Sequence, residues 1–177
     1  MQEKRGYALE GMIDASNATY RQRGKALVEK AATPWKVQYR INKRTNKRII
    51  KDAWPEKKGG VDYTGVASGI PLAFDAKSTR EKSLPLKNIK NHQIEFLSDY
   101  EKQNGVAFLL VEFAELRKVY YLRFQDLKSF WAASMQKGGR KSIPLAFFQE
   151  HCPEVHSEHG VILDYLSHVH KEAAAIG

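Results

Sequence analysis

Residues 61–77 read Val61-Asp62-Tyr63-Thr64-Gly65-Val66-Ala67-Ser68-Gly69-Ile70-Pro71-Leu72-Ala73-Phe74-Asp75-Ala76-Lys77, and the fold turns on how they are read. Two strand-like pieces, 61–63 and 72–77, flank a loop carrying Gly65, Ser68, Gly69 and Pro71, the pattern of a β-hairpin or bent ribbon. Strand periodicity puts Asp75 and Lys77 on one side of the sheet and Ala76 on the other. With Asp62 on the neighbouring strand, two carboxylates and one ammonium converge at a point. An Asp and a D-x-K at this separation also arise by chance, and a surface salt bridge is the plainer reading. Two features weigh against it: charged residues end an apolar strand, and the most basic segment of the chain precedes them.

Outward from this hairpin, strands and helices interleave. Downstream, 84–89 reads as a loop with Pro85, and 88–101 as a helix with Ile89, Ile94 and Leu97 facing inward. The nearly unbroken apolar run 106–113 is a buried strand, and 119–123 a second one after the charged turn 115–118. A helix then opens with Asp126 as N-cap, 138–153 is loop-rich, and 164–175 forms a final short helix. Upstream, the apolar spacing over 8–30 predicts one long or broken amphipathic helix, weakened at Gly24 and stopped by Thr33-Pro34. Alternation from Trp35 to Ile50, with a turn at 42–46, predicts a strand and a hairpin. The sum is an α/β sheet covered by helices, and 177 residues suit one domain.

The net charge is +9, and most of it is local. Residues 36–58 hold nine basic side chains, Lys36, Arg40, Lys43, Arg44, Lys47, Arg48, Lys51, Lys57 and Lys58, against Asp52 and Glu56. Trp35, Tyr39 and Trp54 lie in or beside them. This suits an arm that meets phosphates with Lys and Arg and presents flat rings to exposed bases. A solvated basic hairpin is the bland alternative. Arg80, just past the D-x-K, is a further candidate phosphate contact.

Paired carboxylates are hard oxygen ligands that suit Mg²⁺, which takes only one or two protein carboxylates and keeps several waters. Such an ion polarises a phosphodiester and lowers the pKa of bound water, while Lys77 orients that water or stabilises charge on phosphorus. Phosphodiester hydrolysis is the chemistry these residues imply.

Gly60 to Gly65, then Phe74-Asp75-Ala76-Lys77-Ser78-Thr79, Leu84-Pro85-Leu86, and Ile89 through Gln93 resemble the RecU-type Holliday junction resolvases of Gram-positive bacteria and their phages. These belong to the PD-(D/E)xK nuclease superfamily. The likeness extends to Arg5-Gly6 with Leu9-Glu10, to Thr33-Pro34, to Tyr120-Tyr121-Leu122 and to Gly139 through Ile143. It implies a restriction-endonuclease-like central mixed β-sheet flanked by helices, with a protruding basic stalk inserted at about residues 38–60 of a single nuclease domain. By the same resemblance Asp62 and Asp75 hold Mg²⁺, with Mn²⁺ as substitute, the backbone carbonyl of Ala76 adds a ligand, and Lys77 serves the attacking water. Thr33 matches a position near the metal, Glu10 an acid bordering the site, and Gln93 a residue near the scissile phosphate.

The resemblance further implies a cytoplasmic homodimer that cuts four-way junction DNA by paired symmetric nicks in recombination and repair. It brings a RecA-type recombinase and a branch-migration helicase as partners. Many relatives carry Glu where this chain has Asp75, whose shorter side chain reaches a metal if the strand shifts slightly. Their longer basic N-terminal extension is not in this sequence, as expected of a phage or prophage version.

Two rivals remain: another PD-(D/E)xK endonuclease acting on linear DNA, and a non-catalytic DNA-binding recombination mediator. The intact acid-acid-lysine set argues against the second. The single cysteine, Cys152, excludes an intramolecular disulfide, and no apolar stretch predicts a signal peptide or membrane span. The run from His151 to His159 offers three imidazoles and that thiol, but its spacing matches no zinc pattern, and a surface or core-edge role is expected. His92 is expected either to touch a phosphate or to pack, His168 and His170 to be solvated, and Phe130 and Trp131 to be core.

Overall fold

The Ser68-Gly69 step sets the register of the central sheet. Both residues have positive φ, 49° and 85°, as a two-residue hairpin turn of the primed type requires. They join two antiparallel strands in which Ala67 faces Ile70 and Tyr63 faces Phe74.

The computed structural model describes residues 6–32, 35–55 and 60–176. In chain order these form α1 (Gly6–Gln22), β1 (Ala26–Lys30), β2 (Trp35–Asn42), β3 (Lys47–Pro55), β4 (Tyr63–Ala67), β5 (Ile70–Thr79), β6 (Ser83–Pro85) and a 3-10 turn (Leu86–Asn88). They continue with α2 (Asn91–Lys102), β7 (Val106–Phe113), β8 (Lys118–Arg123), α3 (Phe124–Met135), β9 (Ser142–Pro144), α4 (Leu145–His151) and α5 (Leu166–Ile176). The main sheet runs β1-β4-β5-β7-β8. It is mixed, because the crossover through α2 lays β7 parallel to β5 and the other pairings are antiparallel.

Both faces are covered, which is why β7 reads as an apolar run. Leu9 and Ile13 of α1 and Val169 of α5 pack with Phe74, Phe108 and Leu110 on one face. Leu97, Leu127 and Phe148 pack with Leu109 and Val111 on the other. Across the first face Tyr63, Phe74, Phe108 and Tyr121 stack strand to strand, with centroids 4.8, 4.6 and 4.4 Å apart. Slipping β4 against β5 by one residue would break this ladder and turn every side chain over. The ladder therefore holds Asp62 beside Asp75, each one residue from the Tyr63–Phe74 rung.

Gly65 lets β1 approach β4 closely. A Cβ there would stand 2.2 Å from the Leu27 carbonyl oxygen and 2.6 Å from the Val28 Cα. Gly65→Ala is expected to lower stability by about 1–3 kcal/mol in thermal unfolding. Gly11→Ala is expected to raise it by roughly 0.5–1 kcal/mol, since Gly11 lies inside α1 with nothing within 4 Å of its added Cβ.

Several expectations need correction. The predicted helix over 8–30 ends at Gln22; Gly24 turns left-handed at φ 63° and 26–30 is a strand. Its burial alternates because Val28 faces the core while its neighbour Leu27 is exposed. Asp126 is not an N-cap: α3 begins at Phe124, and Asp126 in its first turn pairs with Arg123 at 2.9 Å. The stretches read as loops at 84–89 and 138–153 contain β6, β9, a 3-10 turn and α4, with Leu84 paired to Ile143 across the two short strands. The basic hairpin is present and longer than expected, β2 pairing β3 from Trp35 to Pro55 with a bulge between Gln38 and Tyr39. These two strands pair only with each other among the described residues. No helix among the described residues is long and apolar enough to cross a membrane.

Candidate active site

Strand alternation aims Phe74 and Ala76 at the α1 side of the sheet, which leaves Asp75 and Lys77 on the α2 side. Asp75 is 1% exposed. Its Oδ1 accepts from the backbone N–H of Asp62 at 3.1 Å and from the side-chain amide of Gln93 at 2.9 Å. In return, the N–H of Ala76 donates to Asp62 Oδ2 at 3.0 Å, so the two acids are laced together through each other's backbone. Gln93 is fixed at its other end, its Oε1 accepting from the N–H of Lys90 at 3.0 Å.

Asp75 Oδ2 is buried, and no backbone or neutral side-chain donor reaches it among the described residues. What lies beside it is a charge, the Lys77 ammonium, which forms an ion pair with this oxygen. Burial is the main influence on Asp75 and pushes its carboxyl up to about 7; Lys77 opposes the rise and the Asp62 charge adds to it. A buried carboxylate oxygen met only by a lysine ammonium, one strand from a second acid, offers hard oxygen ligands suited to a divalent cation.

Among the described residues, Glu10 reaches the acids only through a lysine. It projects from α1 and pairs with Lys30 of β1. The Lys30 pKa is raised first by the hydrogen bond to Glu10, against its partial burial, with the Glu10, Asp14 and Asp62 charges adding to the rise. Lys30 thus stands between Glu10 and Asp62 electrostatically, and Glu10 makes no hydrogen bond or ion pair to Asp62, Asp75 or Lys77 among the described residues. Below them the Tyr63 hydroxyl donates to Asp14 at 2.8 Å.

Sequence reading missed Lys30 because it placed that residue at the end of a helix. The signal was present in Gly24 and the alternation after it.

Thr33, Lys57 and Lys58 lie outside the described residues. Arg40, Lys43, Arg44, Lys47, Arg48 and Lys51 are exposed along β2, β3 and their turn. Arg80, also exposed, faces Glu115 at 3.7 Å. Cys152 is buried and its thiol pushed up to about 12 by that burial, whereas His151, His156 and His159 are exposed. Among the described residues the one group of three or more His, Cys, Asp or Glu side chains close enough to share an ion is Glu158, His159 and Asp164, which excludes the thiol. Phe130 and Trp131 pack against the core.

A family model described as Recombination protein U, RecU, matches residues 4–171. The chain belongs to the RecU family. RecU relatives named Holliday junction resolvase RecU include that of Pediococcus pentosaceus, 37% identical over 95% of this chain and 84% of that one. Those of Levilactobacillus brevis, 36% identical over 94% and 83%, and Streptococcus sanguinis, 38% over 83% and 72%, are similar. Among solved structures, the Holliday junction resolvase Hjc of Archaeoglobus fulgidus gives a TM-score of 0.44 at 9% identity, covering 78% of this chain and 92% of that one. Membership of RecU rests on the sequence relatives alone. The order of residues from Asp62 through Gln93 that carries the resemblance is therefore also the order in which the RecU chain builds its buried acid cluster.

Proposed function

We propose that this chain is a Mg²⁺-dependent endonuclease that resolves Holliday junctions by paired nicks, working in the cytoplasm as a homodimer. The observation that carries the reading is the buried Asp75 carboxylate laced to Asp62, with its Oδ2 met only by the Lys77 ammonium among the described residues. Relatives named Holliday junction resolvase RecU supply the substrate.

In this reading Asp62 and Asp75 hold the metal ion, which when bound polarises the scissile phosphodiester and acidifies water. Gln93 and the Asp62 N–H fix the Asp75 carboxylate through Oδ1, and with Asp62 this carboxylate would hold the ion. Lys77, released from Asp75, orients the water that attacks phosphorus and offsets the charge gathering on the phosphoryl oxygens as the bond to the leaving sugar oxygen breaks. Two-fold symmetry of the protein supplies two such sites, one for each strand of like polarity in a four-way junction. The basic β2–β3 ribbon engages the junction through its phosphates, by shape more than by base sequence.

The test is cleavage of a labelled four-way junction beside a linear duplex of the same sequence, with Mg²⁺ or EDTA, for the unaltered chain and for Lys77→Ala. Symmetric nicks in the junction alone, abolished by EDTA, are expected. Lys77→Ala is expected to bind the junction within about twofold of the unaltered chain and to cut about 10²–10³-fold more slowly. Equal cutting of the linear duplex would replace the reading with an ordinary nuclease, and tight binding without cutting would replace it with a DNA-binding scaffold. Normal cutting by Lys77→Ala would mean that the site lies elsewhere.

A further inference from the structure

A trough of about 550 Å³ opens where the acid cluster ends. Ala76 and Lys77 form one wall of it, and it continues past Arg80 to Pro85, Lys87 and Lys90. Four of its lining side chains are cationic, Lys77, Arg80, Lys87 and Lys90, and one is acidic, Glu81.

Lys77 is paired with Asp75, but little in the fold neutralises the other three cations. Lys87 has no ion-pair partner among the described residues, and Arg80 has only Glu115, at 3.7 Å and with both side chains mostly exposed. Lys90 is held in place, its ammonium donating to the Lys87 carbonyl at 3.3 Å. It also stands at the N-terminal end of α2, where the helix dipole adds positive potential.

The floor is rigid. Pro85 and Leu86 are buried, the N–H of Ile89 closes the 3-10 turn onto Leu86 at 3.0 Å, and the N–H of Leu86 donates to the Lys141 carbonyl at 2.9 Å. That last bond ties the turn to the backbone just before β9.

We propose that this trough is a phosphate track: Lys87 and Lys90 each hold a backbone phosphate of the strand being cut, on one side of the scissile phosphate. The inference deepens the nuclease reading and rests on it for the position of the scissile phosphate. A strand laid with its reacting phosphate at Asp75 and Lys77 runs directly into the trough, because Ala76 and Lys77 belong to both. The strand is then gripped beyond the reacting bond as well as at it, which fixes the phosphorus for attack. Lys87 and Lys90 are positioning residues in this scheme. They touch neither the metal nor the reacting atoms.

The experiment compares the unaltered chain with the double variants Lys87→Ala/Lys90→Ala and Lys87→Arg/Lys90→Arg. Junction affinity is measured in EDTA across a salt series. The alanine pair is expected to lower the slope of log affinity against log salt by about 2, and the arginine pair to restore it. An unchanged slope would overturn the proposal, since a merely structural role leaves phosphate neutralisation untouched.

In Mg²⁺, junctions carrying a single neutral methylphosphonate at successive positions beside the cut are then compared. One or two positions are expected to slow the unaltered chain about tenfold and to add nothing to the defect of the alanine pair. Effects that multiply at every position would overturn the track. If the unaltered chain cuts no junction, the nuclease reading falls, and the salt slope still decides whether Lys87 and Lys90 bind phosphate.

Discussion

Asp75→Asn is expected to cut a four-way junction at least on the order of 10³-fold more slowly than the unaltered chain while binding it equally well, and to be the more stable protein above pH 7 without divalent ions. The loss of cutting follows from the carboxylate's role. Asparagine keeps an Oδ1 to accept from the Asp62 N–H and the Gln93 amide, so the local frame survives, but it puts an uncharged amide where Oδ2 stood. The stability gain follows from linkage. The folded carboxyl titrates at about 7 against an ordinary value near 3.8. Native protein therefore keeps a proton between these values that the unfolded chain has released. The stabilisation from that proton is complete below about pH 4, fades as pH rises and is gone above 7. There the unaltered chain carries a buried charge that asparagine does not. Every tenfold difference in proton affinity between the folded and unfolded carboxyl corresponds to about 1.4 kcal/mol, and leaving Lys77 without its acid takes part of this back, so a net gain on the order of 1 kcal/mol is expected at pH 8. Thermal unfolding from pH 4 to 8 measures it. Adding Mg²⁺ is expected to raise the melting temperature of the unaltered chain and not that of Asp75→Asn. A flat profile for both proteins would mean that Asp75 is ionised throughout.

The acid cluster was legible because its pieces are local. Period-2 alternation places Asp75 and Lys77 on one face whatever the rest of the chain does, and the Ser68-Gly69 turn returns Asp62 to the same place. The buried strand 106–113 and a hairpin over 35–50 could be read for the same reason, though not that its pairing runs on to Pro55. Where pairing is long-range, the sequence is silent. Leu27 and Val28 fit either a helix or a strand, and only the pairing of Val28 with Gly65 decides which is buried. The three-residue strands β6 and β9 exist because Leu84 meets Ile143, far along the chain. That Gln93 touches Asp75 depends on how the crossover helix packs on β5, a tertiary fact that no spacing encodes. Glu10 pairs with Lys30, which also feels the Asp62 charge, and a helical reading of 8–30 hides that partner. The trough escaped notice because Lys77, Lys87 and Lys90 are scattered in sequence and meet only through β5, the 3-10 turn and α2.

Reversing Arg44, Lys47 and Arg48 to glutamate is expected to weaken junction binding by about 10²-fold or more at low salt and to lower the salt slope by about 3, with little change in thermal stability. The three side chains are exposed, and the turn that carries them does not need them. It is shaped by Asn42, whose side-chain oxygen accepts from the backbone N–H of Arg44 at 3.0 Å, and by Asn46 at φ 54°. Charge can therefore be reversed while the ribbon stays paired from Trp35 to Pro55. The same ribbon leaves Tyr39, Ile41 and Ile50 more than half exposed, and Tyr39 and Ile50 face each other across the strands. An apolar, partly aromatic patch surrounded by cations suits unstacked bases held within a phosphate frame, an arrangement that an open four-way junction offers and an intact duplex does not. The reversal should accordingly cost junction binding far more than linear duplex binding, and a Tyr39→Ala/Ile50→Ala variant should lose junction preference while keeping its salt slope. Equal losses on both substrates would make the ribbon a general phosphate clamp, and junction selectivity would then have to come from the spacing of two active sites in the dimer proposed above.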